Sequence, residues 1–272
     1  MAQGTHTVAV IGAGKMGETM LSGLLRAGWP ASQLIATVRR EERAAQLRDQ
    51  YGIHVLPNEE AVARAEVLVI AVKPQDATAL MDELGPKIPA DKVLISSCAG
   101  LPTAFFEKRL PPGTPVVRVM PNTPALVDEA MTAISAGSHA TDEHLALAEE
   151  MFTPLGRTIR LPEAQQDAVT ALSGSGPAYI YYLVEAMTDA GILLGLPRQV
   201  AHDLIVQTVI GSAVMLRDTG QHPVVLREAV TSPAGTTINA VRELERHRVR
   251  AALLDALQAA RDRGREIAAE YS

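Results

Sequence analysis

The first half of the chain alternates short runs of Val, Ile and Leu with stretches of helical periodicity. Runs that are apolar on both faces are typical of a parallel sheet covered by helices on both sides. We therefore predict a doubly wound, mostly parallel α/β sheet. Its expected strands are Val8–Ile11, 34–38, 67–72, Val93–Ser96, 115–119 and an edge strand near 131–134, with helices over 17–27 and Glu41–Tyr51.

A Gly-rich segment follows the first strand at once, and Gly12, Gly14 and Gly17 have the spacing G-x-G-x-x-G. Between a strand and a helix, the first glycine permits a tight turn and the second lets a pyrophosphate approach the backbone. The third allows close helix–strand packing. The spacing alone would also suit a tight turn without a ligand. Its place at the start of a strand–helix–strand unit favours a dinucleotide site in a Rossmann-type domain.

The end of the second strand indicates which dinucleotide binds. A cofactor with a free ribose 2′-OH favours Asp or Glu there, whereas this chain has Arg39 and Arg40. Two guanidinium groups suit a 2′-phosphate, which they can bind through paired, charge-assisted hydrogen bonds. We expect NADPH, with NADH as the weaker alternative. The competing interpretation is that these arginines pair with Glu41 or Glu42 at the start of a helix.

Other strand ends add candidates, because ligands of such sheets bind at the carboxyl ends of the strands. Lys73 follows one strand and is placed to meet a ribose or phosphate, unless it is an ordinary surface charge. Cys98 follows another strand, and we interpret it as a small buried packing residue rather than a reactive thiol.

The second half of the chain is helical in pattern from Pro177 onward, with breaks at 195–197, 220–223 and 232–235. We predict a dinucleotide-binding domain over 1–163 and an all-helical domain of four or five helices over 164–272. A helical domain of this size buries modest area alone, so we expect its apolar faces to meet a partner subunit rather than only each other. These faces include Leu204, Ile205, Val209, Val214 and Leu216.

Composition excludes several classes of function. The net charge of −6 gives no reason to expect nucleic-acid binding, and a single cysteine cannot form an intrachain disulfide. The His spacing suggests no metal site. The apolar stretch 178–196 contains Glu185 and Asp189, which favours a buried or interface helix over a membrane span. No secretory signal is visible, so we predict a cytoplasmic protein.

Two segments of small residues, 172–179 and 231–237, are expected to open helices. A helix start with free N–H groups and no bulky side chains suits a carboxylate, which points to a small acid as substrate. The last lysine is Lys108, so the helical domain offers no catalytic or Schiff-base lysine. Hydride addition to an already activated C=N bond fits this shortage of reactive side chains.

These motifs together resemble those of the pyrroline-5-carboxylate reductase family. The resemblance is found in residues 71–74, 120–124, 172–179, 195–197 and 230–237, in order along nearly the whole chain. It implies NAD(P)H-dependent reduction of 1-pyrroline-5-carboxylate to L-proline, the last step of proline synthesis. It also implies a Rossmann domain followed by a helical domain that interlocks in a homodimer, often within a larger ring of dimers.

The resemblance also implies roles for individual residues. Gly235, Thr236 and Thr237 would hold the substrate carboxylate through backbone N–H groups, and the Thr237 hydroxyl would hydrogen-bond the ring nitrogen as the catalytic contact. Glu163 would lie near the substrate. The implied cofactor positions are Gly12, Ala13, Gly14, Lys15, Met16, Arg39, Asn58, Ala71, Val72, Lys73, Pro74, Ser97, Cys98 and Ala99, to which the charge argument above adds Arg40.

Several alternatives stay open. Thr237 could be an ordinary N-cap, and Glu163 an ordinary exposed residue at the domain junction. The family usually has Gly where this chain has Ala234, and a methyl group there is disruptive if φ is positive. A reductase of another cyclic imino acid is the nearest rival function. A non-catalytic NADP(H)-binding regulator is the more distant one.

Overall fold

The computed structural model describes residues 6–270, so residues 1–5 and 271–272 of the two predicted domains lie outside the described part. Its centre is an eight-stranded sheet with the order β3-β2-β1-β4-β5-β6-β7-β8. The strands are β1 Val8–Ile11, β2 Leu34–Thr37, β3 His54–Val55, β4 Val67–Ile70, β5 Val93–Ser96, β6 Val116–Met120, β7 Ala130–Ala136 and β8 Gly156–Arg160. All neighbours are parallel except β6 and β7. The predicted doubly wound sheet is confirmed.

Helices cover both faces of this sheet, and the helical part of the chain follows it. They are α1 Lys15–Arg26, α2 Glu41–Tyr51, α3 Asn58–Arg64, α4 Pro74–Leu84, α5 Thr103–Glu107, α6 Asp142–Phe152, α7 Gln166–Val169, α8 Gly176–Leu193, α9 Arg198–Thr219, α10 Pro223–Ala229, α11 Thr236–Arg246 and α12 Val249–Glu270. The expected bounds of β1, α2 and β5 are confirmed.

The expectation of an edge strand near 131–134 is wrong. β7 lies between β6, to which it is antiparallel, and β8, to which it is parallel. Its residues 132–135 are buried, as an internal strand requires. The edge strand on this side of the sheet is β8, whose side chains at 157, 159 and 160 are exposed.

Alternating residues of the strands feed two apolar cores, one on each face of the sheet. Val8 and Val10 of β1 pack in the core that contains Met20 and Phe152. Ala9 and Ile11, which alternate with them along the strand, pack in the opposite core with Met81 and Phe106. Both faces of β1 are therefore dry, which accounts for its continuous apolar sequence.

The chain forms two compact units. The sheet unit runs to Ser175 and also includes the residues from Ala260 onward, and the helical unit is Gly176–Ala259. The domain boundary expected at 163 stays a prediction, and residues 164–175 lie within the sheet unit. The cause is that α7 and the π turn Thr170–Gly174 pack on the sheet, where buried Gln166 donates from Nε2 to Ser135 Oγ at 2.8 Å.

The helical unit contains α8 to α11 and the first part of α12. α8 and α9 form an antiparallel pair so close at Gly191 that a Cβ there would lie 2.7 Å from Ala201 Cβ. Among its described residues, few side chains are buried, namely Thr188, Ala201 and Ile205. By length and composition alone, α9 is apolar enough to cross a membrane, the one described helix that is.

Candidate functional site

The glycine loop after β1 forms a turn that only glycine fits. Gly12 has φ +84°, and a Cβ on it would lie 2.4 Å from Val72 Cγ1. Its N–H donates to Thr37 Oγ1 at 3.1 Å, and the Ala13 N–H donates to the Thr37 carbonyl at 2.9 Å. These bonds tie the loop to the end of β2. The turn predicted for the first glycine is confirmed.

The second and third glycines differ in what surrounds them. A Cβ on Gly14 would meet nothing closer than the Gly12 carbonyl oxygen, at 4.0 Å. A Cβ on Gly17 would lie 2.9 Å from Val10 Cγ1, so that glycine allows α1 to pack on β1. Gly14 is the N-cap of α1 and provides no side-chain cap. The first N–H groups of α1 are therefore left open to an anion.

A cleft of about 860 Å³ lies at the carboxyl ends of β1, β2 and β4. It brings together nine of the predicted cofactor residues, namely Gly12, Ala13, Gly14, Arg39, Arg40, Asn58, Ala71, Val72 and Lys73. Lys15, Met16 and Pro74 are helix residues next to this lining and do not line it. The lining of the cleft combines apolar side chains such as Ile11 and Leu80 with the charged side chains of arginines, Lys73 and Asp76. Its glycines, open helix start and guanidinium groups fit a phosphorylated dinucleotide.

Three arginines line one end of the cleft. Arg39 bonds Asp76 of α4, with Nη2 and Oδ2 3.2 Å apart, and Arg43 pairs with Glu18. Arg40, within the described chain, has no ion pair, and Glu41 pairs with Arg48 instead. The alternative pairing of Arg39 or Arg40 with Glu41 or Glu42 is therefore wrong.

Sequence reasoning missed Arg43 and Asp76, both of which line the cleft. Each lies in the first turn of its helix, Arg43 three residues after the predicted Arg40 and Asp76 two residues after the predicted Pro74. The available signal was that side chains in the first turn of a helix following a strand face the ligand edge of the sheet.

The segment after β5 holds Ser97, Cys98 and Ala99, none of which lines the cleft described above. The Cys98 side chain is buried, with Sγ 3.4 Å from the Val72 carbonyl oxygen. Burial raises the pKa of its thiol to about 11. The interpretation of Cys98 as a packing residue is confirmed, so any contact of Cys98 with a cofactor is left to its backbone. Cofactor contact by these three residues stays a prediction.

Glu163 is bonded within the sheet unit rather than directed to solvent. Its Oε1 accepts from the Thr103 backbone N–H and its Oε2 from the Thr103 hydroxyl, both at 2.7 Å. Arg118, a buried residue of β6, approaches Oε1 at 3.4 Å. The alternative of an ordinary exposed residue is therefore wrong. The carboxylate stabilises the start of α5 and neutralises a buried cation.

The carboxylate site predicted within 231–237 lies in the helical unit, at the start of α11, which no side chain caps. Gly235 is its N-cap, no side chain caps the helix, and Thr237 is the second helical residue. The interpretation of Thr237 as an N-cap is therefore wrong, and its hydroxyl has no hydrogen-bond partner among the described residues. A Cβ on Gly235 would clash with Ser232 Oγ and lie 3.2 Å from the Ser232 carbonyl oxygen, so a larger residue would require the Ser232 side chain to move. Ala234 just before it has φ +57°.

The segment 172–179 differs from its prediction as a free helix start. Residues Thr170–Gly174 form a π turn that joins α7 to α8. The Ser175 N–H already donates to the Thr170 carbonyl at 2.8 Å, and the Ser173 carbonyl accepts from Asn122 Nδ2 at 3.0 Å. At the start of α11, the Gly235 N–H likewise donates to the Ser232 carbonyl, at 3.1 Å, whereas the N–H groups of Thr236 and Thr237 have no side-chain cap and can receive a carboxylate. No cluster of three or more metal-ligating side chains occurs in residues 6–270.

The doubly wound sheet and its cleft define the class: an NAD(P)H-dependent oxidoreductase with a Rossmann-type domain. Residues 7–100 match the family model described as NADP oxidoreductase, coenzyme F420-dependent. Residues 163–267 match the model described as pyrroline-5-carboxylate reductase dimerisation. A homo-oligomer acting on a small molecule follows from the second match.

The chain belongs to the pyrroline-5-carboxylate reductase family. It is 41% identical over 265 residues to the enzyme of that name from Corynebacterium melassecola, with 96% of this chain and 98% of that protein covered. It is 40% identical over 262 residues to the Arabidopsis thaliana enzyme, and the match covers 96% of this chain and 95% of that protein. The solved structure of the Coxiella burnetii enzyme superposes with a TM-score of 0.90 at 34% identity, covering 97% and 98%. The structure of the Plasmodium falciparum enzyme, solved with NADP bound, superposes with a TM-score of 0.89 at 27% identity, and the match covers 98% of this chain and 100% of that one.

Proposed function

We propose that the protein reduces 1-pyrroline-5-carboxylate to L-proline with NADPH. The observation that supports this most directly is the uncapped start of α11, in a chain whose sheet unit has a dinucleotide cleft. The helix start offers N–H donors and a positive dipole end to a carboxylate, and no bulky side chain obstructs it. A small cyclic imino acid provides both the carboxylate and the C=N bond that a hydride can reduce.

The chain's own residues bind and orient the substrate. The N–H groups of Thr236 and Thr237 are assigned to the carboxylate, and the Thr237 hydroxyl to the ring nitrogen. The Gly235 N–H already donates to the Ser232 carbonyl at 3.1 Å, so it can contact the carboxylate only as a shared donor. When bound, NADPH supplies the hydride, which adds to C5 of the protonated imine and leaves a neutral amine. The iminium has its own positive charge, so orientation provides most of the acceleration. We assign Glu163 to a supporting position near the substrate.

Replacing the Thr237 hydroxyl tests this assignment. Thr237→Ala should lower kcat on the order of 100-fold, the size of effect seen when one preorganised hydrogen-bonding group is removed from an active site, with a smaller change in KM. In this case the hydroxyl oxygen accepts from the N–H of the protonated imine. Thr237→Ser keeps the hydroxyl and should restore most of the rate. Wild-type kcat and KM in Thr237→Ala would show that the hydroxyl has no catalytic contact.

The choice of substrate is tested by following NADPH oxidation with five-membered and six-membered cyclic imino acids, and with NADH as the control cofactor. Turnover confined to the five-membered ring supports the proposal. Preference for the six-membered ring would instead indicate a related imino-acid reductase. Tight NADPH binding without turnover on either ring would indicate a regulator.

We further propose that the homo-oligomer is built from dimers joined through the helical unit, that these dimers assemble into a ring, and that the enzyme works in the cytoplasm. The exposed apolar side chains of α8 and α9 support the dimer. Sedimentation velocity gives the number of protomers and separates a lone dimer from a ring of dimers.

A further inference from the structure

The rim of the cofactor cleft holds one carboxylate that opposes three guanidinium groups. Arg39, Arg40 and Arg43 lie on the β2–α2 side, and Asp76 lies in the first turn of α4 on the other side. A 2′-phosphate that binds this end must therefore share the arginines with a carboxylate of the protein itself.

The three arginines differ in how firmly they are already paired. Arg43 is held by Glu18, and both side chains are about three-quarters covered. Glu18 also accepts a hydrogen bond from the Tyr51 hydroxyl at 3.1 Å. This pair is part of the wall between α1 and α2. Arg40 has no ion pair within the described residues and is free to meet a ligand.

Arg39 is intermediate between these two. Its side chain is 87% exposed and that of Asp76 40% exposed, with 3.2 Å between Nη2 and Oδ2. An exposed pair of this kind is weak and exchanges readily for a stronger anion. A phosphate dianion is such an anion, but to bind Arg39 it must displace the Asp76 carboxylate or lie close to it. Like charges at that separation repel each other.

We propose that Asp76 is a specificity-determining residue, which lowers the preference for a 2′-phosphorylated cofactor by competing for Arg39. The inference rests on the proposed NADPH site, in which Asp76 weakens the binding of the 2′-phosphate. A cofactor without the 2′-phosphate does not need Arg39 and is unaffected by the competition. The cleft is thereby suited to accept NADH as well as NADPH, and Asp76 sets the ratio of the affinities for the two cofactors.

The test is calorimetric titration with 2′,5′-ADP and 5′-AMP, which differ only in the 2′-phosphate. Asp76→Asn should increase the affinity for 2′,5′-ADP roughly two- to fivefold, which corresponds to the free energy of an exposed ion pair. The affinity for 5′-AMP should not change. The gain should shrink at high salt. Asp76→Glu keeps the carboxylate and should behave as wild type. Asp82→Asn is the matched control, since Asp82 lies on the same helix and pairs with Arg109 outside the cleft lining.

Repeating the Asp76→Asn substitution in an Arg39→Gln protein tests whether Asp76 acts through Arg39. In that protein the gain from Asp76→Asn should shrink to the part caused by direct repulsion between Asp76 and the phosphate, because the Arg39 guanidinium for which Asp76 competes is gone. A gain of the same size in both backgrounds, or an unchanged ratio of the two affinities in Asp76→Asn, would overturn the proposal. Wild-type protein that binds neither 2′,5′-ADP nor NADP⁺ would overturn the NADPH site itself, and the role of Asp76 with it.

Discussion

Ala234 occupies a backbone conformation that alanine tolerates poorly, with φ +57° immediately before the proposed carboxylate seat. A left-handed conformation costs a residue with a Cβ roughly 1–2 kcal/mol, and glycine avoids this cost. Ala234→Gly also increases the entropy of the unfolded chain, which offsets part of the gain. We expect a net increase of about 1 kcal/mol in the free energy of unfolding, measured by urea denaturation.

The matched control is the same substitution in a regular helix. Ala240 lies within α11, where glycine costs about 1 kcal/mol relative to alanine. Ala240→Gly should therefore destabilise the protein while Ala234→Gly stabilises it. A loss of stability in both variants would mean that residue 234 is not held in the left-handed region in solution.

Cys98 should be chemically inert in the folded protein, because burial raises the pKa of its thiol from 9.0 to about 11. A thiol reagent at pH about 8 should label it only after unfolding. The folded state retains the thiol proton between pH 9.0 and about 11, whereas the unfolded chain loses it. The stabilisation is therefore fully present below that window and is lost as pH rises through it.

Cys98→Ala removes the titrating group and isolates the effect. The difference in free energy of unfolding between wild type and Cys98→Ala should decrease as the pH is raised across the window. A difference that stays constant, or rapid labelling of native protein, would show an accessible thiol.

At the scale of elements, the link between α5, β6 and the segment before α7 depends on one carboxylate. Glu163→Gln leaves buried Arg118 without its nearest anion, since Asp167 is 3.9 Å away. We expect a loss of roughly 1–3 kcal/mol in the free energy of unfolding. Glu149→Gln is the control, because Glu149 pairs with partly exposed Arg160 at the surface and should cost less than about 1 kcal/mol.

This experiment also separates two roles of Glu163. A structural carboxylate changes the denaturation midpoint, whereas a carboxylate that only contacts substrate changes KM at unaltered stability. A Glu163→Gln protein as stable as wild type would rule out the structural role.

Local patterns predicted those elements whose cause is local. The apolar run Val8–Ile11 and the glycines after it predicted β1, the turn at Gly12 and the start of the cleft, because each depends on neighbours in sequence. β3 has only two residues, His54 and Val55, too few for a period to be visible. The π turn Thr170–Gly174 depends on packing against the sheet, for which the sequence gives no periodic signal.

The candidate site shows the same division. Arg39 and Arg40 could be predicted from their position after β2, whereas the partner of Arg39 is 37 residues away, on a helix whose rotation no local pattern determines. The bonds of Glu163 to Thr103 similarly join residues 60 apart. Contacts of this range become visible only when the strand order is known.

At the scale of the whole molecule, the helical unit exposes more apolar side chains than a monomer in water would keep bare. Leu193 is 88% exposed and Leu204 56% exposed. Burying one leucine at an interface contributes about 1.5–3 kcal/mol, and a charge in its place prevents the contact. Leu204→Glu should therefore dissociate the oligomer in sedimentation velocity and lower Tm, and the wild-type Tm should rise with protein concentration. Val127→Glu, at a residue 70% exposed in the sheet unit, is the control and should leave the assembly intact. A Leu204→Glu protein with the wild-type sedimentation coefficient would place the contact on another face of the helical unit.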